Sequence, residues 1–143
     1  FGTKTIATHG CGIVAVHNAI ILAGASSRLS DVVRYMGVRD LTFGACGAYY
    51  WNLSKYLRSK GYRPSTNYFA FGRSADAAIK RSPHKVGVFA YWHGNPQGHY
   101  IAVKWNGSQF ELYNYRGAEA FFIDSLDTEM AQTNCTRLCL ITF

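Results

Sequence analysis

An α+β fold, with helices first and an antiparallel sheet second, is predicted by three observations. Apolar positions recur at helical spacing over the first sixty residues, and each such stretch meets a glycine. From Val86 onward the pattern changes to short runs rich in β-branched and aromatic residues. Between two of those runs stands Asn106-Gly107, the strongest short-range signal for a hairpin. Strands that follow one another through short turns pair antiparallel, and helices grouped apart from them cover the sheet.

The elements follow in order. The first helix spans Cys11 to Leu22 and is closed by Gly24. The second covers Asp31 to Met36, capped by Ser30 and stopped by Gly37, and the third runs from Ala48 to Lys60 and ends at Gly61. Ser74 caps a short helix over Ala75 to Arg81. Strands are expected at Val86 to Trp92, His99 to Trp105, Gln109 to Tyr115 and Thr136 to Phe143. The stretch from Ala118 to Asn134 has no periodicity that assigns it. The prolines Pro64, Pro83 and Pro96 all fall in connections.

With 143 residues the chain fits one domain, residues 1–143, large enough to close a core without metal or disulfide staples. Hydrophobic residues make up 48% against 16% charged, which excludes an intrinsically disordered chain. The net charge of +7 favours acidic partners. The basic residues are dispersed, however, so a solvated basic surface is expected in preference to a nucleic-acid footprint. Aromatic groups such as Tyr49-Tyr50-Trp51 read as core and groove lining rather than a base-stacking platform. Ile13 to Ala25, the longest apolar run, is interrupted by His17 and Asn18 and is too short to span a bilayer. Four cysteines, Cys11, Cys46, Cys135 and Cys139, are too sparse for a disulfide scaffold, and free thiols are expected. Cys135 and Cys139, four apart, would share a face in a strand; without a second pair they do not read as a zinc site. No metal or organic cofactor is expected. The start at Phe1 reads as a domain cut from a longer protein.

Cys11 stands between Gly10 and Gly12 where coil enters the first helix. A thiol there faces unpaired N–H groups and the positive end of the helix dipole, which favour the thiolate and can hold an oxyanion. His99 opens a strand after the irregular segment His93-Gly-Asn-Pro-Gln-Gly, a place suited to a general base. A tight turn centred between 106 and 107 sets Asn114 directly across from His99. Its amide oxygen could then accept the second ring N–H. His9 is a rival base, His17 reads as a hydrogen-bonded and partly buried histidine, and His84 and His93 read as loop residues.

Gly10-Cys11-Gly12 followed by Ile-Val-Ala-Val-His-Asn-Ala, then Gly98-His99-Tyr100-Ile-Ala-Val and Leu112-Tyr113-Asn114, resembles the papain-like cysteine peptidases. The likeness is nearest to the bacterial branch that processes double-glycine leaders of bacteriocins. That resemblance implies a nucleophile helix, with further helices, packed on an antiparallel sheet. It implies Cys11 as nucleophile, His99 as base and Asn114 as orienter, where that branch usually has aspartate. At the position of its usual oxyanion glutamine stands Thr5, beside Lys4, and either could substitute. The implied activity is hydrolysis of a peptide or amide bond through a thioester. Two alternatives differ from it: an effector or toxin domain of a larger secreted bacterial protein, using the same triad and neutralised by an acidic immunity protein, and a basic nucleic-acid-binding or nuclease domain.

Overall fold

The computed structural model describes residues 10–39, 49–68, 73–92, 98–117 and 119–143. Within them the elements run α1 (Cys11–Leu22), α2 (Leu29–Arg39), α3 (Tyr50–Ser59), β1 (Ser65–Tyr68), α4 (Ala75–Arg81), β2 (Val86–Trp92), β3 (His99–Trp105), β4 (Phe110–Tyr113), β5 (Phe121–Ile123), α5 (Leu126–Gln132) and β6 (Thr136–Thr142). The six strands form one antiparallel sheet in the order β1-β6-β2-β3-β4-β5. The α+β class stands.

Side-chain alternation gives the sheet two buried faces. Val86, Val88, Ala90, Ala102, Cys139 and Ile141 face one core, which α1, α2 and α3 close with Ile13, Val16, Ala19, Ile20, Val32, Met36, Leu53 and Leu57. Phe89, Tyr91, Ile101, Val103, Leu112 and Leu140 face the other, closed by Ala75 and Ile79 of α4 and by Leu126 and Met130 of α5. Helices therefore cover both faces. Because β2 is buried on both sides, its sequence is almost uniformly apolar rather than alternating.

Helix α1 and strands β2 and β3 keep the expected bounds. Helix α2 does not: it begins before Ser30, whose cap position belongs to Arg28, since the Asp31 and Val32 amides donate to the Arg28 carbonyl. It also passes through Gly37, where nothing packs within 4 Å of the missing Cβ and helical backbone costs a glycine only about 1 kcal/mol. Gly61 does end its helix, with φ at +88° beyond the last turn of α3. Strand β1 was not expected, because Ser-Thr-Asn-Tyr is polar, short and at the sheet edge. The unassigned stretch holds β5 and α5, the latter capped by Ser125, whose hydroxyl accepts from the Thr128 amide.

The hairpin between β3 and β4 exists, but its turn is centred one residue later than the dipeptide predicts, the Asn106 amide donating to the Gln109 carbonyl (3.1 Å) around Gly107 and Ser108. The Asn106 carboxamide oxygen accepts from the amides of Ser108 (3.0 Å) and Gln109 (2.9 Å), which holds the turn there. Ala102 consequently pairs with Tyr113 and Trp105 with Phe110, two residues out of the expected register. The ladder ends at Tyr113, so Asn114 lies beyond it and is not the cross-strand partner of His99. Asn114 instead leaves the strand in the left-handed region, with φ at +65°.

A reciprocal pair of caps ties α4 to α5. Asp127 of α5 accepts from the amides of Ala75 (2.9 Å) and Asp76 (3.2 Å) and from the Ser74 hydroxyl (2.6 Å). Asp76 of α4 returns the arrangement, accepting from the amides of Leu126 (2.9 Å) and Asp127 (3.2 Å). Each carboxylate caps the other's helix, on top of the serine that already caps its own.

Candidate functional site

Cys11 is the first residue of α1 and follows Gly10, which has no side chain to cap the helix. Among the described residues the helix's opening N–H groups face the Cys11 sulfur. The Cys11 thiol is half-buried and free. Backbone amides of Tyr100, of Gly12 and of Cys11 itself favour its anion, but burial outweighs them, and the thiol is held above its ordinary range. This corrects the expectation of a helix-lowered thiol: the dipole is present, yet desolvation dominates.

His99 begins β3. Its Nε2 lies 2.5 Å from the main-chain carbonyl oxygen of Asn114. A carbonyl can only accept, so Nε2 carries the proton and Nδ1 of the neutral ring is the basic nitrogen. The Asn114 side chain does something else, its Nδ2 donating 3.0 Å to the Tyr100 carbonyl. One residue therefore clamps both His99 and Tyr100 from beyond the end of the ladder. Position 114 thus meets the His99 ring through its main-chain carbonyl and Tyr100 through its carboxamide.

Tyr100 links the two halves of the site, with an amide facing the Cys11 sulfur and a carbonyl bound to Asn114. Tyr91 of β2 pairs with His99 across the ladder and meets its ring edge-on at 5.7 Å between centroids. Its phenol is held strongly upward, first by burial and with a contribution from Cys11. Cys11 and His99 thus share Tyr91 and Tyr100 as neighbours. Among the described residues no hydrogen bond joins the thiol directly to the imidazole, and strand alternation turns the ring to the α4–α5 face while α1 packs on the opposite one. Neither tyrosine was singled out from the sequence; only their flanking of His99 in the hairpin could have pointed to them.

Other expected positions divide plainly. Thr5, Lys4, His9, Cys46 and His93 lie outside the described residues. His17 bonds to the Ser27 hydroxyl at 2.9 Å, and burial lowers its pKa. His84 is exposed and meets Tyr62 edge-on. Cys135 and Cys139 do not share a face. The register shift opposite Ala90 and Tyr91 intervenes, and they pack into different cores. Among the described residues no group of three or more His, Cys, Asp or Glu side chains could hold a metal, and no helix is long and apolar enough to cross a membrane.

No protein-family model and no curated protein matches the chain. Among solved structures it is similar to that of the Pseudomonas avirulence protein AvrPphB, with 14% identity over 96% of this chain and 92% of that one, at a TM-score of 0.41. At that identity and score the likeness transfers nothing about the site.

Proposed function

We infer that the chain is a cysteine hydrolase acting on a peptide or amide bond, with Cys11 as nucleophile and His99 as its base. The observation that carries this reading is the Nε2 bond to the Asn114 carbonyl, which leaves Nδ1 basic on the residue next to the amide that faces the Cys11 sulfur. Asn114 is the orienter, acting through its main chain.

The raised thiol fits a mechanism in which no resting ion pair is stored. With no direct hydrogen bond between them, Nδ1 takes the thiol proton through one intervening water at the end of the sheet as the sulfur attacks the carbonyl carbon. The C–O π pair moves onto oxygen, and the oxyanion meets the N–H groups at the start of α1. Collapse breaks the C–N bond, the imidazolium returns its proton to the leaving amine, and a thioester remains on Cys11. Water, deprotonated by the same Nδ1, adds to the thioester and releases the acid and the thiol. No metal or organic cofactor enters any step. The position of Thr5 as a second oxyanion donor rests on the sequence resemblance, while use as an effector with an acidic immunity partner rests on the net charge of +7 and the compact size.

A peptidyl epoxide or vinyl sulfone tests the reading, because it alkylates a cysteine only when a neighbouring base and oxyanion site assist. Intact mass and peptide mapping should place the adduct on Cys11, with loss of about 100-fold or more in rate in His99→Ala. Equal labelling of Cys11 in both proteins, or labelling spread over Cys135 and Cys139, would sink it.

A further inference from the structure

The geometry points to a second site, a cleft for an oxyanionic group, either phosphoryl or carboxylate, between helix α4 and strands β1 and β6. The cleft holds about 500 Å³ and is walled by Arg73, Arg81 and Arg137, with Asn67 and Ser74 among its polar neighbours. The three guanidinium groups come from different parts of the fold: the segment before α4, the last turn of α4 and the second residue of β6.

Arg137 is held in place. Its guanidinium donates 2.5 Å to the Arg73 carbonyl and lies 4.0 Å from Asp127, with only 16% of its side chain exposed. That carboxylate is already shared among Ser74 and the amides of Ala75 and Asp76. Asp76, on α4 itself, is spent on the start of α5. Arg73 and Arg81 are exposed, and among the described residues neither has an acidic partner. Among the described residues three arginines line one wall, and the carboxylate paired with Arg137, that of Asp127, is already shared, an arrangement that an entering anion relieves. Planar guanidinium forks match the oxygens of phosphoryl and carboxylate groups alike.

The site is tested by binding alone, so its fate is separate from that of the Cys11 reading. Inorganic phosphate and a capped tetraglutamate peptide are titrated in turn into the ¹⁵N-labelled protein at low ionic strength. Saturable shifts at the amides of Ser74, Ala77, Ala78 and Leu140 are expected with at least one probe. Each of Arg73→Gln and Arg81→Gln should weaken that probe about tenfold, the loss of one charge-assisted hydrogen bond. Saturation by phosphate assigns a phosphoryl ligand, and saturation by the peptide alone assigns an acidic chain. Both substitutions fall on exposed side chains, and an unchanged circular dichroism spectrum certifies the fold. Absence of saturable shifts with both probes, or binding equally tight in the double variant, would overturn the proposal.

Discussion

His99 is oriented by the main chain of Asn114: Nε2 meets the carbonyl oxygen at 2.5 Å, while the carboxamide of the same residue is turned to Tyr100. The chemistry attributed to an asparagine side chain is therefore separable from the residue type, and the two contributions of position 114 respond differently to substitution.

Asn114→Ala keeps the acceptor for His99 and removes only the bond to Tyr100, while placing alanine at a φ of +65°. Stability should fall by about 2–3 kcal/mol, from one lost hydrogen bond and the left-handed backbone. Asn114→Gly, free of that strain, should lose about 1 kcal/mol. In both, the pH dependence of hydrolysis should keep its wild-type midpoint once the protein is folded. A midpoint that moves in Asn114→Gly would show that the carboxamide, not the carbonyl, sets the imidazole.

Burial holds the Cys11 thiol above its ordinary range, so at pH 7 it is protonated. Iodoacetamide should label Cys11 more slowly at neutral pH than an ordinary thiol of pKa about 8.5, and faster as pH rises. His99→Ala should leave that alkylation curve nearly unchanged while lowering peptide hydrolysis by about 100- to 10,000-fold. Rapid alkylation below pH 7 that disappears in His99→Ala would instead reveal a standing thiolate–imidazolium pair.

Cys139 is fully buried, and its thiol is pushed up to about 12. Between the unfolded thiol's range near 8.5 and that value, only the unfolded chain ionises, and it therefore holds fewer protons than the native state. Stability should fall as pH rises through this window, measured by urea midpoints from pH 8 upward. Cys139→Ala should be less stable at neutral pH but show a shallower alkaline slope. The slope should not vanish, because burial also raises Tyr91 and Tyr100.

Asp76 and Asp127 cap each other's helices, so removing either should cost about 1–2 kcal/mol. The double variant Asp76→Ala/Asp127→Ala should cost less than the sum of the two, because the residues share one network. Strict additivity in the cycle would mean that the two caps act independently.

How far the sequence could be read depended on where each signal resides. Helix α1 and strands β2 and β3 are legible because they bury long apolar runs, and burial fixes both type and extent. Gly37 misled because a half-buried helical glycine is tolerated when neighbouring turns are anchored by Val32 and Met36. Strands β1 and β5, with four and three residues, hold their places only through their partners and carry too little pattern of their own. At the site, Cys11 and His99 could be named from local context. The register at Asn114 could not, because Asn106 captures two amides with its side chain and the turn is centred one residue beyond where its dipeptide alone would set it. The thiol's direction of shift was likewise out of reach, since the dipole is visible in the sequence and the degree of desolvation is not.

Strand β6 lies between β1 and β2, although 67 of the residues that precede it separate it from the end of β1. The edge strand at Ser65–Tyr68 has no neighbour in the sheet until Cys139 to Thr142 arrive. During ribosomal synthesis helices α1 to α3 would emerge before β2, β3 and β6, the strands that support them. Assembly of that side of the sheet must wait for β6, so a product that stops short of it should fail to settle. Two fragments divided at the exposed turn around residue 107 should, by the same logic, be soluble and ordered only when produced together.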